Sequence, residues 1–129
     1  MPIIGTIRAG EPVQAVQNIE GYEVIERKYL TSGYEYFFLR VIGDSMDTVA
    51  PEGSLVLIRR QSDVDNGDIA VVIVNGHDAT LKKVHRIGSC LTLSPMSTNP
   101  KHQLQIYDAK NTEIFIIGKA EKVLSSTDL

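Results

Sequence analysis

A succession of short apolar runs, each closed by a turn signal, limits what this chain can fold into. Tyr34–Ile42, Leu55–Ile58, Ile69–Val74, Ala79–Val84, Cys90–Leu93, Leu104–Tyr107 and Glu113–Val123 are too short or too β-branched for long helices. Between them stand Gly43, Pro51-Glu52-Gly53-Ser54, Asn66-Gly67, Asn75-Gly76 and Gly88-Ser89, and then a loop from Pro95 to His102. Asn-Gly pairs favour tight reversals because both residues tolerate positive φ. The pattern predicts a mostly β domain, a compact distorted barrel or two packed small sheets. Upstream, Ile3–Ala9 reads as extended and Gly10-Glu11-Pro12 as punctuation. Val13–Ile19 reads as extended or a single helical turn, and Tyr22–Glu26 as a strand or strand edge. Met46–Val49 is long enough for one helical turn, and residues 125–129 read as a loose tail.

A chain of 129 residues with 43% hydrophobic content predicts one domain around one core. A net charge of -3 argues against a nucleic-acid surface. The single cysteine, Cys90, excludes an internal disulfide, and no metal or cofactor motif is visible. No apolar run reaches the length of a membrane span and no signal peptide is visible, so a soluble cytoplasmic protein is expected.

Chemistry is concentrated at two places. In Val41-Ile42-Gly43-Asp44-Ser45-Met46 an apolar strand ends at a glycine, and a serine follows at the lip of the turn. A hydroxyl placed there is useful as a nucleophile if something removes its proton. Ala79-Thr80-Leu81-Lys82-Lys83-Val84 offers an amine, and burial would lower its pKa into a basic role. Alternation sends Thr80, Lys82 and Val84 to one face and Leu81 and Lys83 to the other. Each face carries an apolar residue, so periodicity does not choose between the lysines. The bland alternative makes Ser45 a turn-capping hydroxyl and the lysines a solvated strand face. His77, His85 and His102 lie in no motif that aims them at Ser45, and read as isolated surface histidines.

Taken together, the run Phe37 to Met46, Pro51-Glu52-Gly53, Asn66-Gly67-Asp68 and Thr80-Leu81-Lys82-Lys83 resembles the self-cleaving domain of LexA-type repressors. That domain also occurs in phage repressors and UmuD-type polymerase accessory proteins. Gly5 to Pro12 resembles its cleavage region, and Leu93-Ser94-Pro95 and the final strand through Gly118 also fit. The resemblance implies a serine peptidase with a Ser-Lys dyad, Ser45 as nucleophile and Lys82 as general base. Lys83 matches a variable neighbour. The chain would cut its own Ala9–Gly10 bond, with residues 1–12 as the cleavage segment and Ile4 and Ile7 docking in apolar pockets. Thr80 would orient the amine, and the backbone N–H groups of Ser45 and Asp44 would hold the oxyanion. The implied setting is a repressor of the DNA-damage (SOS) response that needs no cofactor. Its implied partners are a second copy, paired through Ile114–Ile117, and a RecA filament on single-stranded DNA. DNA would be bound only through a domain absent from this chain. A UmuD-like accessory protein and a non-catalytic dimerisation module of a phage-type repressor are the alternatives. Ser54 departs from the pattern, standing where an acidic residue often follows the turn glycine.

Overall fold

The chain reverses where its turn residues predict. At Val74-Asn75-Gly76-His77 the His77 N–H donates to the Val74 carbonyl at 3.0 Å. Asn75 (φ 49°) and Gly76 (φ 76°) both have positive φ, as the mirror-image hairpin turn requires. This turn joins two strands in a computed structural model that describes residues 1–124. The tail expected over 125–129 lies outside the described residues.

Those residues contain nine strands. They are β1 (Pro2–Ile4), β2 (Ile19–Tyr22), β3 (Tyr36–Arg40), β4 (Leu55–Arg60) and β5 (Ile69–Val74). β6 (Thr80–Ile87), β7 (Cys90–Ser94), β8 (Gln105–Asp108) and β9 (Ile114–Leu124) follow. Short 3-10 turns occupy Val16–Asn18 and Arg27–Tyr29. The mostly β expectation holds. The first strand stops at Ile4 instead of running to Ala9, and the next is Ile19–Tyr22 instead of Tyr22–Glu26. The physical reason is pairing: Pro2–Ile4 ladders against Tyr22–Ile19, and the Gly5 N–H closes the ladder on the Asn18 carbonyl at 3.0 Å. Residues 6–15 are thereby released as a loop ahead of the 3-10 turn at Val16–Asn18.

The strands hydrogen-bond as one open sheet in the order β2-β1-β3-β4-β9-β5-β6-β7-β8. Every neighbouring pair is antiparallel except β1 with β3. In a flat sheet β1 and β6, five steps apart, would stand about 24 Å from each other. Yet the Ala79 N–H, just before β6, donates to the Ile7 carbonyl, just after β1, at 2.9 Å. The sheet therefore curls until its seventh strand, β6, meets the segment leaving its second, β1. That is the curl of a distorted barrel, with a ladder that stays open.

The curl explains why the apolar runs are continuous. Phe37 and Phe38 point to opposite faces, and both are 0% exposed. Phe37 joins Ile4, Leu39, Val56, Ile58, Val71 and Leu81 inside the curl. On the outer face, Phe38 packs with Ile3, Tyr36 and Leu57 near β1. Further along that face, Ala70, Val72, Val84 and Leu93 form a second cluster under β7. Each fully buried side chain of this size stabilises by roughly 1.5–3 kcal/mol. β9 crosses between β4 and β5, and a Cβ on Gly118 would stand 2.5 Å from the Arg59 carbonyl oxygen. Only glycine lets the backbones approach so closely.

Candidate active site

β3 delivers its chain to the mouth of the curl. Past Arg40, two hydrogen bonds pinch the loop base: Val41 N–H to the Ser54 carbonyl at 2.9 Å, and Gly53 N–H to the Val41 carbonyl at 2.8 Å. Gly43 (φ 80°) turns the chain, and a single helical turn follows, closed by the Ala50 N–H on the Met46 carbonyl at 2.8 Å. Met46 and Ala50, each 1% exposed, anchor that turn in the core. Ser45, one residue before Met46, is left half-buried at the rim. No backbone carbonyl takes the N–H of Asp44 or Ser45 among the described residues.

The β5–β6 hairpin supplies the amine. Register places Lys82 opposite Ala70, whose methyl leaves room for the lysine stem. The Lys82 Nζ lies 2.8 Å from Ser45 Oγ and donates to the Leu81 carbonyl at 3.1 Å. It makes no ion pair among the described residues. Burial alone pushes its pKa below the ordinary lysine value. Lys83 sits opposite Ile69 on the other face of the strand and lines neither cleft described next.

Two clefts meet at the pair and share Ile42, Ser45, Thr80 and Lys82. The first runs along Gly5-Thr6-Ile7, Leu39 and Met46. The second runs along Pro95 and residues 101–105. A groove thus passes across the hydroxyl and the amine, open on both sides.

The remaining sequence-predicted residues fall as follows. Thr80 shares both clefts with Lys82, but its hydroxyl makes no hydrogen bond to the amine; the Leu81 carbonyl is the second partner. Ile4 (0% exposed) and Ile7 (2%) are buried inside the curl. Ala9 and Gly10 form the centre of a turn in which the Glu11 N–H reaches the Arg8 carbonyl at 3.3 Å, with Gly10 at φ 81°. Neither lines a cleft. In this structure the segment presents Gly5–Ile7 to the groove, and the bond expected to be cut stands beyond it.

Sequence reasoning placed a loop over Pro95 to His102 but gave it no part in the site. Its Met96 N–H donates to the Ser45 carbonyl at 2.8 Å, and Ser97 Oγ donates to the Asp44 carbonyl at 2.6 Å. Thr98 grips the Asp47 carboxylate with its N–H at 2.8 Å and its hydroxyl at 2.7 Å. The Asp44 carboxylate meets His102 Nε2 at 2.5 Å through one oxygen and Asn99 Nδ2 at 3.1 Å through the other. Those bonds, His102 first, hold the Asp44 carboxyl below its ordinary pKa. Thr98 does the same for Asp47. The contacts join residues more than fifty positions apart, such as Thr98 with Asp47 (51) and His102 with Asp44 (58), and no local pattern announces them.

Among the described residues, no cluster of His, Cys, Asp and Glu could hold a metal ion, and no helix is long and apolar enough to cross a membrane.

Comparison with known proteins adds to this geometry. Residues 2–121 match the family described as Peptidase S24-like. The chain is 46% identical over 126 residues to the LexA repressor of Thermotoga neapolitana, covering 95% of this chain and 62% of that protein. It is 43% identical over 120 residues to the LexA repressor of Geobacter sp. (strain M21), covering 92% of this chain and 58% of that protein. The LexA repressor of Thermotoga maritima is 44% identical over 126 residues. The chain spans 58–62% of the length of these relatives.

Proposed function

The chain belongs to the peptidase S24-like family, and from that premise we propose that it is the self-cleaving part of a LexA-like repressor. It acts as a serine endopeptidase on its own Ala9–Gly10 bond. The observation that carries this reading is the 2.8 Å approach of Lys82 Nζ to Ser45 Oγ, in surroundings that disfavour the ammonium form.

The uncharged amine of Lys82 takes the Ser45 proton as Oγ bonds to the Ala9 carbonyl carbon. Charge develops on the Ala9 oxygen, and the N–H groups of Ser45 and Asp44, which no backbone carbonyl takes, are the donors nearest in sequence to meet it. When the C–N bond to Gly10 breaks, Lys82 returns the proton to the leaving nitrogen. Water, giving its proton to Lys82, then releases Ala9 from the serine ester. Residues 1–12 are the cleavage segment of one self-cleaving domain. To react, the Arg8–Glu11 turn must open and the segment must advance, so that Ala9 replaces Gly5–Ile7 beside the dyad. Because the segment is tethered, its docking needs no second binding step. Docking would also deepen the burial of Lys82.

In the longer protein this cleavage would serve a DNA-damage response, with a RecA filament on single-stranded DNA favouring the docked arrangement. DNA would be held by a part of that protein outside this chain. Self-association rests on Ile114–Ile117 of β9: Ile114–Ile116 ladder with β5 on one side, whereas on the other the Gln61 N–H reaches only the Ile117 carbonyl at 3.3 Å and β4 pairs from Gly118. Phe115, 54% exposed, projects from that free edge. A free strand edge with apolar side chains suits pairing with a second copy.

Incubating the purified chain at alkaline pH and measuring its mass tests the reading. Loss of the first nine residues is expected. An unchanged mass after prolonged incubation, with the fold intact, would favour the dimerisation module instead.

A further inference from the structure

We propose that His102, with Asn99, is a positioning residue that ties down the Asp44 carboxylate, keeping its charge off Lys82 and fixing the turn that carries Ser45. The proposal deepens the peptidase reading and rests on it for its meaning, though not for its test.

Asp44 presents a chemical problem. It adjoins Ser45 and lines the same cleft as Lys82. A carboxylate free to swing onto the Lys82 ammonium would stabilise the charged form, which cannot act as a base. It would also oppose negative charge developing at the neighbouring N–H groups. The structure answers by engaging both oxygens elsewhere: His102 Nε2 at 2.5 Å on one and Asn99 Nδ2 at 3.1 Å on the other. Asn99 is set by its own loop, its N–H on Ser97 Oγ at 3.0 Å and its Oδ1 taking the Lys101 N–H at 3.0 Å. Ser97 closes the circuit on the Asp44 carbonyl at 2.6 Å.

The charged groups around Lys82 are few. Arg40 and Asp78 line the first cleft; Asp44, Lys101 and His102 line the second; Lys83 follows on the strand. Arg40 is engaged by Glu20 at 2.8 Å and by the Gly53 carbonyl at 2.9 Å. Of the two carboxylates, Asp44 is the one beside Ser45, and it is the one held. His102 suits the task because a ring N–H donates to the carboxylate whether or not the ring is charged.

The test follows Lys82 itself, by NMR titration of its Cε signal with Ser45→Ala as the parent background, which keeps the chain intact through the alkaline range. His102→Ala should move the lysine midpoint upward by about one unit, the scale of an opposite charge brought near. Adding Asp44→Asn to His102→Ala should cancel that movement, because the freed group then carries no charge. His102→Gln, which keeps an N–H donor, should stay close to the parent. Amide exchange over residues 43–48 should quicken in His102→Ala and not in His102→Gln. An unmoved midpoint in His102→Ala, an equal movement in the double variant, or unchanged exchange would overturn the proposal. Both readouts are independent of cleavage. A chain with Ser45 in place that never cuts itself would remove the peptidase reading while leaving this one to be judged.

Discussion

The two sides of the groove are built differently. The Ser45 turn is gripped along its length by the Pro95–His102 loop, through the carbonyls of Asp44 and Ser45 and the carboxylates of Asp44 and Asp47. The leader from Thr6 to Gln17 buries Ile7 and Val13 in the core but makes few polar ties to the rest of the fold. Its base closes on the Asn18 carbonyl, and Ile7 is caught by Ala79. Its side-chain tie to the fold, Arg8 to Asn18 Oδ1, is long at 3.5 Å, and Asn18 Nδ2 is buried without a partner among the described residues. The difference teaches which side is meant to move. Reacting groups gain from being fixed before the reaction, whereas a segment that must change place belongs to the least stable part of a fold.

The largest expected effect breaks the fixed side. Ser45→Ala should lower self-cleavage by about a thousandfold or more, with the sheet intact by circular dichroism. Lys82→Ala should match it, and Lys83→Ala should cut at nearly the parent rate. The reverse order in the two lysine variants would mean that the dyad is wrongly drawn.

A milder break tests the grip. Asp47→Ala removes both acceptors of Thr98 and should lower the midpoint of chemical denaturation. Self-cleavage should slow by about tenfold as the turn loosens. Equal rates in the two proteins would show that the clamp does not serve the chemistry.

The mobile side should respond in the opposite sense. Asn18→Leu gives up the long Arg8 bond to Oδ1 but also removes a buried Nδ2 that has no partner among the described residues, and should raise stability by about 1 kcal/mol. It should also slow cleavage, because the resting leader is stabilised. Faster cleavage in this variant would place the barrier elsewhere than in leader release.

The smallest effect concerns pH. Burial lowers the folded-state pKa of Lys82, so the unfolded chain binds more protons than the folded one between the lowered and the ordinary lysine value. Stability therefore rises with pH through that window, and this contribution is level on either side of it. Lys82→Met should gain stability at neutral pH and lose that advantage as pH approaches the ordinary lysine range, as paired thermal melts would record. The cleavage rate of the parent should climb over the same window, because the uncharged amine is the active form.

Much of the layout was legible in local signals. Asn75-Gly76 announced the hairpin that carries Lys82, since those residues accept the positive φ it needs. The Ser45 turn was announced by an apolar run ending at Gly43. Alternation separated Lys82 from Lys83 but could not rank them, because Leu81 and Val84 are both buried, one inside the curl and one outside it. The first strand was read too long: where a ladder ends depends on its partner, and Ile19–Tyr22 lies fifteen residues or more away. His102 looked idle for the same reason, because its partner stands 58 positions off.

By itself, then, the sequence determined the kinds of element, the turns between them and the two side chains worth bringing together, because φ preferences and alternation act between near neighbours. Tertiary structure alone decided the curl that carries Ile7 to Ala79, the face on which an amine meets a hydroxyl, the loop that grips Asp44, and the resting place of Ala9 outside the groove. Those outcomes depend on pairing between distant strands and on what each buried group finds opposite it, and neither is written in any short stretch of the chain.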